Sequence, residues 1–63
     1  MKVKCKNGNF VERWRDYRRR EIVVRTVDAA GNQIGDSDYC GCKSTAAFCF
    51  KQMVADNGGK ADK

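Results

Sequence analysis

The chain predicts an α+β fold: an antiparallel meander of three or four strands packed on one C-terminal α-helix. Three observations carry that expectation. Residues 2–6 alternate lysine with Val3 and Cys5, and residues 21–27 are rich in β-branched side chains; both are marks of strands. Asn7-Gly8 and Asp28-Ala29-Ala30-Gly31 supply turn chemistry between such segments. Over residues 46–55 the apolar period changes from that of a strand to that of a helix.

Successive strand side chains point to opposite faces, so Lys2, Lys4 and Lys6 share one face and Val3 and Cys5 the other. Asn7-Gly8 reads as a two-residue hairpin turn, whose central positions need positive φ. That turn pairs Lys6 with Asn9, Cys5 with Phe10, Val3 with Glu12 and Met1 with Trp14. One face then carries Met1, Val3, Cys5, Phe10 and Trp14, interrupted by Glu12. The other carries Lys2, Lys4, Lys6, Val11, Arg13 and Arg15.

The second strand covers about residues 9–15, and residues 16–20 form a polar connection. The third strand, residues 21–27, has two registers available. Centring its turn on Arg18-Arg19 sets Val23 opposite Trp14, Arg25 opposite Glu12 and Val27 opposite Phe10. This register is preferred because it gives Glu12 a cation. It also puts Ile22 and Val24 on the face of Arg13 and Arg15, which is its weak point. A slip of one residue would reverse the faces. Asp28 and Gly31 suit the first and fourth positions of a type I turn. A short fourth strand follows over residues 32–35, and residues 35–38 read as a loop.

Ser44 or Thr45 is a fitting helix N-cap. Ala46, Ala47, Cys49, Phe50, Met53 and Val54 fall on one helical stripe, with Lys51 and Gln52 away from it. Asn57-Gly58-Gly59 ends the helix. The expected domain is residues 1–56, with residues 57–63 a flexible tail. One helix covers one sheet face only. The face with Val3, Cys5, Phe10 and Trp14 is expected beneath it, and the lysine face is expected open to water.

With 63 residues the core is small, and such chains often gain from a staple or a partner. No apolar run reaches membrane-spanning length, and no hydrophobic stretch follows the N-terminal lysines as in a signal peptide. The expected compartment is the cytoplasm, with reduced thiols. The net charge of +5 is unevenly spread: residues 1–25 hold nine Lys or Arg against three acids, and the remainder sums to −1. Segregated positive charge argues for an anionic partner.

The nucleic-acid-binding set read from this pattern is Lys2, Lys4, Lys6, Asn9, Arg13, Arg15, Arg18, Arg19 and Arg20. Cations at alternate strand positions reach one side together, and Arg grips phosphate or guanine with two bonds. Duplex DNA is the favoured partner, met by the open sheet face in the major groove. Single-strand binding asks for exposed aromatics, and the expected register leaves only Tyr17, Tyr39 and Phe48 outside the core. The competing readings are a solvated basic face and an acidic or nucleic-acid-binding surface of another protein, bound as small phage-type inhibitors or adaptors bind theirs. A secreted disulfide peptide is a third class.

Three strands, a short loop and a C-terminal helix, in that order, resemble the arm-type DNA-binding domain of tyrosine-family phage and transposon integrases. The outline is also similar to the plant AP2 domain. The stretches that carry the resemblance are Gly8-Asn9-Phe10-Val11, Gly31-Asn32-Gln33-Ile34 and Lys43-Ser44-Thr45-Ala46-Ala47, within residues 7–55. Those families usually enter the helix through an aromatic-Xaa-Thr-Xaa-Xaa-Xaa-Ala step, which Tyr39-Cys40-Gly41-Cys42 interrupts here. The resemblance implies a sheet laid in the major groove with the helix behind it, and a mobile-element origin.

Cys5, Cys40, Cys42 and Cys49 could ligate one structural zinc, since four thiolates close a site. Cys-Xaa-Cys departs from the common Cys-Xaa-Xaa-Cys spacing, and buried cysteine also packs as a small hydrophobe. A disulfide is the third option. With no histidine, no phosphate-cradling glycine loop and Asp36 and Asp38 set in turn chemistry, no catalytic set is legible, and the chain is read as a non-enzyme.

Overall fold

Strands Lys2–Lys4 (β1), Phe10–Asp16 (β2), Glu21–Val27 (β3) and Gln33–Cys40 (β4) form one antiparallel sheet in the order β1-β2-β3-β4. One helix, Lys43–Asp56 (α1), packs on one face of it. The fold is α+β, in a computed structural model that describes residues 1–62. Lys63, the end of the expected tail, lies outside the described residues.

The β2–β3 register is the preferred one, with Trp14 opposite Val23, Glu12 opposite Arg25 and Phe10 opposite Val27. The β1–β2 register is not the expected one. Val3 pairs with Val11, Lys4 with Phe10 and Lys2 with Glu12. The cause is one residue of loop length. Gly8 N–H donates to the Cys5 carbonyl at 3.0 Å and Cys5 N–H to the Asn9 carbonyl at 2.8 Å, so Lys6, Asn7 and Gly8 together make the loop. Only Gly8 takes positive φ, at 92°, the arrangement of a type I turn followed by a left-handed residue. Asn7 uses its side chain instead, accepting from Asn9 N–H at 3.0 Å.

That shift turns β2 over relative to the expected hairpin. Val11, Arg13 and Arg15 look toward α1 together with Val3, Cys5, Ile22 and Val24. Phe10, Glu12 and Trp14 share the uncovered face with Lys2, Lys4, Val23, Arg25 and Val27. The expectation that Phe10 and Trp14 lie beneath the helix is therefore corrected. So is the grouping of Arg13 and Arg15 with the lysines.

The core beneath α1 is Cys5, Val11, Ile22, Val24, Cys40 and Ala46, closed by Cys49, Phe50, Met53 and Val54. The helical stripe falls as its spacing predicts, except that Ala47 is exposed. The helix begins earlier than Ser44 or Thr45 would set it: Cys42, extended at φ −143°, is the N-cap. At the other end Gly58 and Gly59, both at φ 90°, donate to the carbonyls of Ala55 and Val54, a Schellman ending.

β4 is longer than expected, because residues 35–37 are a bulge within the strand rather than a loop after it. Val24 pairs with Asp38 while Thr26 pairs with Ile34. The expected tail is paired as far as Ala61. Lys6 N–H donates to the Gly59 carbonyl and Ala61 N–H to the Lys4 carbonyl, at 2.9 and 2.8 Å. Buried Asn57 holds this corner. Its Oδ1 accepts from Asn7 and Asn9 Nδ2, and its Nδ2 donates to the Met53 carbonyl and Thr26 Oγ1.

Candidate functional site

The uncovered sheet face has the chemistry of a recognition surface. Three rows cross it. Trp14, Val23 and Tyr39 form one, Glu12 and Arg25 the second, and Phe10, Val27 and Gln33 the third. The flanking rings shield Val23 and Val27, which are buried although no helix lies over them. Trp14 is 40% exposed and Tyr39 48% exposed. Each ring on this face has a cation over it. Lys2 Nζ lies 4.9 Å from the Phe10 centroid, the Arg25 guanidinium 5.2 Å from Trp14, and the Arg19 guanidinium 4.3 Å from Tyr39.

Arg25 is the centre of this face. It bonds Glu12 Oε1 and Gln33 Oε1, each at 3.3 Å, while its Nε is buried without a partner. Leaving this position would relieve one unsatisfied N–H but give up the bonds to Glu12 and Gln33 and the contact with Trp14.

Beyond the Trp14 row lies the β2–β3 turn, where Tyr17, Arg18, Arg19 and Arg20 are all exposed. Asp16 shapes it: one carboxylate oxygen accepts from Arg18 and Arg19 N–H, and the other lies 3.9 Å from Arg19 Nε. Arg20 sits at φ 55°, alone among the described non-glycine residues. Glycine would adopt that conformation without the side-chain penalty. An arginine kept in a left-handed position is the kind of local cost found at functional sites.

The predicted cations thus divide four ways. Lys2 and Lys4 lie on the open face with Arg25, a residue the sequence reading left out of the set. Arg18, Arg19 and Arg20 crown the turn at one end of that face. Arg13 and Arg15 are on the helix side, Arg13 with its guanidinium 5.7 Å from the Phe50 ring. Lys6 is in the hairpin loop, and Asn9 is committed to Asn57. Phe10 and Trp14 were missed as surface residues, whereas Tyr39 lies outside the core as expected. The signal that could have found them was the shared face of Val11, Ile22 and Val24, three aliphatic residues that need covering.

The cysteines do not converge on one point. Cys40 and Cys49 Sγ lie 3.7 Å apart, Cys5 is buried in the core, and Cys42 is exposed. Among the described residues no group of three or more His, Cys, Asp or Glu side chains is arranged to hold a metal. Cys42 Sγ lies 3.3 Å from Ser44 Oγ and 3.2 Å from Thr45 Oγ1. These hydroxyls favour the thiolate and lower its pKa from 9.0 to about 7. Burial, and then the Cys49 thiol, push Cys40 up to about 11.

No known protein family, curated protein or solved structure matches this chain. Among the described residues no helix is long and apolar enough to cross a membrane.

Proposed function

We propose that this protein is a non-enzymatic nucleic-acid-binding module that takes a single strand across its open sheet face. The observation that carries the reading is the set of three partly open rings, Phe10, Trp14 and Tyr39, each paired with a cation on the side of the sheet that α1 leaves bare. Bases stack on aromatic faces whatever their sequence, and cations beside the rings meet the phosphates. Arg18, Arg19 and Arg20 extend the positive surface beyond the Trp14 row. Duplex binding in a major groove asks for a strip of cations along one face, and the observed register takes Arg13 and Arg15 off that strip. The resemblance to sheet-in-groove DNA-binding domains keeps the duplex as the comparison to be measured.

Anisotropy titrations with single-stranded DNA, single-stranded RNA and duplex DNA across a salt series test this. About five phosphate contacts give a log–log salt slope near −3.5 for a single strand. Single strands should bind more tightly than the duplex at every salt concentration. Equal or tighter duplex binding would return the reading to the major groove. No affinity for any of the three at low salt would end it.

A further inference from the structure

On the helix side of the sheet, Arg13, Trp14, Arg15, Ile22 and Lys43 line a concavity of about 270 Å³. Its three cations come from two elements. Arg13 and Arg15 are alternate residues of β2, so they share a face, and Lys43 is the first residue of α1. Among the described residues, none of the three lies within ion-pair distance of a carboxylate. Converging like charges repel one another, so an anion placed between them gains from all three. The amino end of α1 adds a favourable field, and its first turn contains no acidic residue to oppose it. The volume is below the roughly 300–1,000 Å³ of sites for drug-sized ligands, which suits a small anionic group.

We propose that this concavity binds a dianionic phosphate group, carried as a terminal phosphomonoester or as the free ion. Arg13 and Arg15 supply planar, multiply donating guanidinium groups and Lys43 a point charge, the combination that grips a terminal phosphate. A phosphate ester dianion matches three cations that have no carboxylate partner among the described residues better than a singly charged backbone phosphodiester does. Ile22 gives the site an apolar wall against which the esterified carbon can rest. The two sources of such a group are the terminal phosphate of a nucleic-acid strand and a free phosphate. The strand source rests on the single-strand reading above; the site itself does not.

Backbone amide NMR spectra of the whole chain, titrated with inorganic phosphate and, at matched ionic strength, with sodium chloride, test the site. Phosphate should give saturable shifts centred on residues 13–15, 22 and 43–45, and chloride should not. Arg15→Gln and Lys43→Gln change exposed side chains outside the core, and each should weaken phosphate binding about tenfold. Shifts that chloride reproduces, or phosphate binding unchanged in both variants, would overturn the proposal. In a second arm, single-stranded oligonucleotides with and without a 5′-phosphate are compared on wild type and Lys43→Gln. A several-fold advantage for the phosphorylated strand, lost in Lys43→Gln, assigns the group to a strand end. Phosphate binding without that advantage assigns it to the free ion. Failure of both oligonucleotides to bind, with phosphate binding intact, would count against the single-strand reading alone.

Discussion

The two faces of the sheet solve the same problem by different means. Each carries apolar side chains that water disfavours. On the covered face small aliphatic and thiol groups, Val11, Ile22, Val24, Cys5 and Cys40, pack against Ala46 and its neighbours on α1. On the open face the described residues form no second layer; Trp14 and Tyr39 flank Val23, Phe10 flanks Val27, and cations lie over the rings. The covered face is a core. The open face is a thin apolar layer with charged groups above it, and on the single-strand proposal a base would replace a cation there with the strands beneath left in place. Stability and binding are therefore expected to separate by face.

The largest effect should come from breaking the covered face. Val24 is fully buried at the centre of the sheet, and Val24→Asp would place an unpaired carboxylate under α1. The expected loss is at least ~4 kcal/mol, enough to unfold a domain of this size, as chemical denaturation would show. Asn57→Ala comes next. It leaves the Asn7 and Asn9 side-chain amides without their shared acceptor and should cost about 2–4 kcal/mol in the same assay. The loosened corner should also raise amide exchange at Lys6 and Ala61, whose bonds pair the tail with the first hairpin.

Changes on the open face should move binding more than folding. Trp14→Ala removes a stacking surface and is expected to weaken single-strand affinity by ~1–3 kcal/mol, read by anisotropy, while the chain stays folded. Arg20→Gly should separate the two properties in sign. Relief of the left-handed conformation stabilises the fold by roughly 0.5–1 kcal/mol, and loss of a cation reduces the salt slope of binding by about one contact.

The smallest effect concerns the thiols. Cys42, whose pKa is lowered to about 7, should react first with iodoacetamide, at a rate that rises through neutral pH as the thiolate forms. Cys40, pushed up to about 11, and buried Cys5 should react only on unfolding. Labelling followed by mass spectrometry checks that order.

How much of this was legible depended on the turns. The β3–β4 turn was read correctly because Asp28 and Gly31 occupy diagnostic places; Gly31 N–H donates to the Asp28 carbonyl, and the carboxylate accepts from Ala30 and Asn32 N–H. The Asn32 bond leads the contacts that lower the Asp28 pKa. Cys5-Lys6-Asn7-Gly8-Asn9 has the same outline as Asp28-Ala29-Ala30-Gly31-Asn32, with glycine fourth and asparagine fifth. The stronger local signal of Asn-Gly concealed it, and the misread residue exchanged the two faces of β2. The β2–β3 register was legible because Glu12 needs Arg25. The types of residue at the candidate site could be read directly, as could their charge. The open side of Lys2 and Lys4 was read as observed, but the side of the β2 residues was not, because their sidedness hangs on the length of the Lys6-Asn7-Gly8 loop, where Asn7 and the following Asn9 bond to Asn57, 48 residues beyond Asn9.

The most direct test uses the chain's single tryptophan as its own reporter. Trp14 fluorescence is followed while a short single-stranded oligonucleotide is added at low salt. Bases stacking on the open face should quench the emission in a saturable manner, with a midpoint that matches the anisotropy titration and moves to higher concentration as salt is raised. Saturable binding that leaves Trp14 emission unchanged would place the strand elsewhere and contradict the assignment of this face.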